Sequence, residues 1–100
     1  MIKSKKIRDS AKGEECTLVI GGVCNGDNET VVLCHFGVHS GGSARLNGDL
    51  SAGYGCFSCH SIIDRREYSS LSEADREFYM RRSQVRTLDR LVDKGLVVIA

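Results

Sequence analysis

Cys56-Phe57-Ser58-Cys59-His60 is the stretch on which the fold turns. Two cysteines in a C-x-x-C pair can bind one Zn²⁺ from a tight turn that enters a helix. A second pair is needed to close a tetrahedron, and Cys16 and Cys24 offer it from either side of a short hairpin-like segment. The seven residues between them exceed the usual gap of about two to four. Even so, positions flanking a turn can face one point. The reading is a Cys16/Cys24/Cys56/Cys59 zinc site with no open position, hence a structural one. Metal-free buried cysteines are the bland alternative. A redox C-x-x-C pair lacks the βαβ context it requires.

Size and composition call for such a staple. The chain has one hundred residues, with 11 glycines, three tyrosines, three phenylalanines and no tryptophan, so its core is thin. Five cysteines give one zinc site and a spare, Cys34, which reads as a small buried residue in an apolar strand. Met1 to Lys12 is polar and basic, unlike a signal peptide, and clustered cysteines in a cytosolic chain are read as metal ligands first. No stretch approaches the roughly 18–20 apolar residues of a membrane span, so no membrane partner is expected. Net charge is +1, which leaves the partner class open. Lys3, Lys5, Lys6, Arg8 and Lys12 form a basic N-terminus, and the later arginines are interleaved with acids.

Residues 1–12 read as a mobile or weakly helical arm. Thr17-Leu18-Val19-Ile20 reads as a short strand, followed by turn chemistry at Cys24-Asn25-Gly26-Asp27-Asn28. Residues 30–36 are β-branched and apolar, a second strand. Residues 37–49 hold four glycines and read as a loop, with a brief strand at 50–54. A helix is expected from Phe57 to about Tyr68, with Ile62 and Ile63 inward. A longer one starts at a Ser72 cap, with Asp75 three residues on, and stops at Gly95. Ala74, Phe78, Val85, Leu88 and Val92 share one face of it, the expected core side. Leu96 to Ala100 is a β-prone tail.

A histidine ending a strand, then a Gly-rich loop, a short strand and C-x-x-C-H entering a helix is the order of parts in an HNH (His-Me finger) nuclease. Gly13-Glu14-Glu15-Cys16, Gly22-Val23-Cys24-Asn25-Gly26, Glu29-Thr30, Val32-Leu33-Cys34-His35 and Cys56 through Asp64 resemble the YbcO-like nucleases of phages and prophages, from residue 5 to about 95. The resemblance implies an α+β, ββα-metal (treble-clef-like) fold with an added C-terminal helix. It also implies the bacterial host cytoplasm as location. Its parts would be a basic arm at 1–12, a zinc-binding core at 13–70, and a helix and tail at 71–100 on the same domain. By the same resemblance His35 deprotonates water and His60 binds a catalytic ion. The family's middle residue falls on Asp49, with Asn47 as second choice. Cys34 stands where many HNH enzymes carry a metal-binding Asp.

These residue types suit hydrolysis of a nucleic-acid phosphodiester, with DNA the expected substrate. A neutral imidazole with a pKa near ~6.5 can take a proton from water. Mg²⁺ or another divalent ion can stabilise charge on phosphate, and Asp49 suits Mg²⁺ while His60 also admits Mn²⁺, Ni²⁺ or Zn²⁺. His39 reads as a solvent-exposed loop residue. Arg82, Arg86 and Arg90 share a helix face that, with the basic arm, can track phosphates. The alternative is a non-catalytic, zinc-stabilised nucleic-acid-binding or adaptor module. Oligomeric state is left open by the sequence.

Overall fold

Two short strands lie at the centre of the computed structural model, which describes residues 2–37 and 48–100. β1 (Val32–His35) and β2 (Ala52–Gly55) pair antiparallel, with Leu33 opposite Tyr54 and His35 opposite Ala52. Side chains alternate across such a pair. Leu33, His35, Ala52 and Tyr54 therefore share one side, and Cys34, Gly53 and Gly55 share the other.

Three helices surround the strands: α1 (Lys5–Asp9), α2 (Phe57–Ile63) and α3 (Glu73–Asp93). The order is a β-β-α unit with a helix before it and a long one after. Residues 2–12 do not hang free. Ser4 caps α1 by accepting the N–H of Ile7, and Ile7 and Ala11 are buried. Ser10 hydrogen-bonds the Tyr54 hydroxyl at 2.7 Å, which fixes the helix to the strand pair.

The expected strand at 17–20 is not one. Val19 has φ 45, and the segment bends so that the Val19 and Ile20 N–H groups reach cysteine sulfurs rather than a ladder. Only Thr17 keeps the sheet edge, through its N–H to the Tyr54 carbonyl at 2.8 Å. Residues 96–100 form no strand either.

α2 ends four to five residues earlier than its composition suggests. Arg65, at φ 60, donates to the Ile62 carbonyl and Arg66 to that of Ser61, the two bonds of a Schellman stop. α3 stops the same way at Gly95, whose N–H meets Val92 while that of Leu96 meets Leu91.

The inward face of α3 is not the apolar one. Met80, Ser83, Thr87 and Leu91 are buried, whereas Phe78, Val85 and Val92 are exposed, Ala74 too, and Leu88 is half-buried. Close approach is the reason. A Cβ on Gly53 would lie 2.1 Å from the Ser83 hydroxyl, so only small side chains fit where α3 crosses β2. The hydroxyls there are satisfied. Thr17 Oγ1 lies 2.6 Å from Ser83 Oγ and 3.1 Å from Thr87 Oγ1, and Thr87 accepts the Tyr54 N–H at 3.0 Å. Together Thr17 and Thr87 satisfy the outer edge of β2, which would otherwise be left unpaired.

Candidate functional site

The sulfurs of Cys16, Cys24, Cys56 and Cys59 all lie within 4.8 Å of one another, and none is in a disulfide. Four sulfurs at about 2.3 Å from a central zinc stand roughly 3.8 Å apart; Cys24 and Cys56 are 3.9 Å apart. The cluster can hold one ion such as zinc. Backbone N–H groups of Val19, Ile20 and Cys59 point at the sulfurs of Cys16, Cys59 and Cys56 at 3.4–3.5 Å, which suits thiolates. The Cys59 thiol beside it, against burial, brings Cys16 down to about 4, while burial pushes Cys24 up. Cys56 is also the N-cap of α2, so the side chain that could take a metal also caps the helix.

Cys34 takes no part. It is fully buried, and burial raises its thiol well above the ordinary range, so it stays protonated.

His35, at the end of β1, places Nε2 2.8 Å from Oδ1 of Asp49, which is itself 1% exposed. The other oxygen, Oδ2, accepts the Ser4 N–H at 2.6 Å and Arg8 Nη1 at 2.7 Å. Burial opposes the charge on Asp49, but the bonds from His35, Ser4 and Arg8 outweigh it and hold the carboxyl below its usual range. An ionised carboxylate only accepts, so His35 carries its proton on Nε2 and leaves Nδ1 as a lone pair. Asp49 was expected beside His60 on a catalytic ion. Its oxygens are bonded to His35, the Ser4 N–H and Arg8, and no hydrogen bond or ion pair joins it to His60 among the described residues.

His60, in the first turns of α2, pairs with Asp64 one turn on, Nε2 to Oδ2 2.9 Å, each side chain 19% exposed. Arg66 reaches the same oxygen at 3.3 Å. No hydrogen bond or ion pair links this pair to His35 or Asp49 among the described residues. His39 and Asn47 lie outside those residues.

The row of arginines is largely occupied. Arg82 donates to the Leu18 carbonyl at 2.8 Å and Arg90 pairs with Glu14 at 3.2 Å; Arg86 is exposed. Two of the three therefore brace α3 against residues 14–18. Arg8, from the basic N-terminus, is turned onto Asp49.

Two partners escaped the sequence reading. Asp64 was legible, since i and i+4 share a helix face. Arg8 was not, because 41 residues separate it from Asp49 and nothing local connects them.

Residues 5–96 match the family described as "Putative nuclease YbcO". The chain belongs to the YbcO family. Two YbcO proteins, each named a putative nuclease, from Escherichia coli (strain K12) and from Enterobacteria phage 82, are each 43% identical to it over 63 residues. That stretch covers 62% of this chain and 66% of each relative, so the chain spans just under two thirds of the length of those YbcO proteins. The solved structure of a putative bacteriophage protein from Escherichia coli K-12 MG1655 has a TM-score of 0.74 to it at 33% identity, covering 90% of this chain and 100% of the other. Among the described residues, no helix is long and apolar enough to cross a membrane.

Proposed function

We propose that this chain is an endonuclease of phage or prophage origin that hydrolyses phosphodiester bonds in nucleic acid, with DNA as substrate, in the HNH manner. Membership of the YbcO family supports the reaction class, and the His35–Asp49–Arg8 chain carries the mechanism. With Nε2 held by an ionised Asp49, His35 Nδ1 takes a proton from water as the oxygen attacks phosphorus. The bond to the leaving sugar oxygen breaks, and that oxygen takes up a proton. Asp49 fixes the tautomer and stabilises the imidazolium that forms; Arg8 and the Ser4 N–H keep Asp49 charged.

His60 and Asp64 are the pair for a catalytic divalent ion. Neighbouring ligands at about 2.0–2.1 Å from an octahedral ion stand roughly 3 Å apart, and these two are 2.9 Å apart at the surface. Such an ion supplies neutralisation of the phosphate charge. A nitrogen ligand favours Mn²⁺, Ni²⁺ or Zn²⁺ alongside Mg²⁺. The four cysteines hold a separate structural zinc that ties the start of α2 to the 16–24 segment.

A second reading keeps the nucleic-acid contact without turnover, and buried, protonated Cys34 favours it, because no acidic ligand precedes His35. Plasmid nicking with a panel of divalent ions decides between them. The nuclease cuts with an added ion, and His35→Ala loses about 10²–10⁴-fold of the rate with its zinc content unchanged. Binding without cleavage under every ion would leave only the second reading.

A further inference from the structure

The outer face of α3 is apolar and has no partner in the fold. Phe78, Val85 and Val92 are 57%, 56% and 40% exposed. Their seven-residue spacing drifts only ~20° from two full turns, so the three form one line. Phe78, Arg81, Arg82 and Val85 stand at i, i+3, i+4 and i+7, the set that receives a knob from a facing helix. With Arg86 they border a depression of about 340 Å³.

The charges beside this line are also unspent. Arg81, Arg86, Asp89 and Asp93 are exposed and make no ion pair among the described residues. Asp89 and Asp93 repel phosphate, and the apolar line of Phe78, Val85 and Val92 offers it no donor, so a nucleic acid is the poorer occupant even with Arg81 and Arg86 nearby.

We infer that α3 pairs with α3 of a second copy, antiparallel, about a twofold axis beside Val85. In that register Phe78 meets Val92 of the second copy, and the exposed Arg81 on one flank comes beside its Asp89. The parallel alternative sets Arg81 against Arg81 and Asp89 against Asp89. The stripe is thus complementary to itself only when reversed, and an isologous pairing closes at two copies. This places two His35 sites in one particle, on the far sides of a shared helix pair.

Sedimentation of the zinc-loaded full chain tests the pairing. The expected mass is that of two chains, falling to one in Val85→Glu with its circular dichroism and zinc content unchanged, because Val85 is exposed and contributes nothing to the core. Single cysteines then report the register. Val85→Cys cross-links to itself on mild oxidation; Phe78→Cys does so poorly alone but readily when mixed with Val92→Cys. A single-chain mass at the highest attainable concentration overturns the inference. So does efficient self-cross-linking of Phe78→Cys, which signifies a parallel pair. A Val85→Glu variant of unchanged mass that loses retention of nucleic acid assigns the stripe to nucleic acid and also overturns it. None of these readouts depends on cleavage.

Discussion

His35–Asp49 and His60–Asp64 span nearly the same distance, 2.8 and 2.9 Å, and share almost nothing else. The first joins residues 14 apart, is nearly buried, and is held by two further donors, Arg8 and the Ser4 N–H. The second is one turn of helix, with both side chains 19% exposed and Arg66 at its rim. Closing the first pair costs loop entropy and needs α1 docked; the second forms wherever α2 does. A tightly braced pair suits an imidazole that must keep one tautomer. A loose pair can open to admit an ion.

Removing the metal breaks the comparison altogether. If the four sulfurs hold a structural zinc, Cys59→Ala or a strong chelator takes away an ion whose binding is worth on the order of 10 kcal/mol at neutral pH. Both pairs are expected to vanish with the fold, read by circular dichroism alongside zinc content. A folded, zinc-free chain would show that the apolar core suffices.

Next in size are the aspartates. Asp49→Ala strips a buried carboxylate from three donors and is expected to cost about 2–3 kcal/mol. Asp64→Ala should cost below about 1 kcal/mol, since its partners remain in contact with water. Urea midpoints measure both, and equal losses would erase the distinction drawn here.

Acid titration sharpens it. The carboxyl of Asp49 is lowered in the folded chain, so its contribution is complete above the unfolded value of about 3.9 and fades as pH falls through the lower folded value. Asp49→Asn should flatten the acid limb of stability against pH, followed by urea midpoints. The smallest effect belongs to the stop after the second pair. Arg65→Gly relieves a left-handed residue but gives up an ion pair with Glu73, for a net gain of about 0.5 kcal/mol in the midpoint.

What the sequence disclosed follows how local each feature is. The C-x-x-C turn, the two paired strands, the Ser72 cap (its hydroxyl accepts the Asp75 N–H at 3.1 Å) and the Gly95 stop are all written within a few residues. The end of α2 was hidden because Arg65, rather than a glycine, takes the left-handed position. The orientation of α3 was hidden more deeply. Hydrophobic periodicity marked Phe78, Val85 and Val92 as inward, yet the helix lies so close to Gly53 that Ser83 and Thr87 had to face the strand. Of the site, the four sulfurs and the two histidines were visible, because metal spacing and strand ends leave local marks. The pairing of Asp49 with His35 and Arg8 arises only once α1 has folded back.

With no side chain on Gly53, nothing compressible separates α3 from β2. The Ser83 hydroxyl presses on bare backbone, and the next residue along that strand, Ala52, lies directly across from His35. Helix and strand therefore meet without a cushion, one residue from the position opposite the imidazole. In the proposed mechanism, the long helix would give the general base a stiff backing.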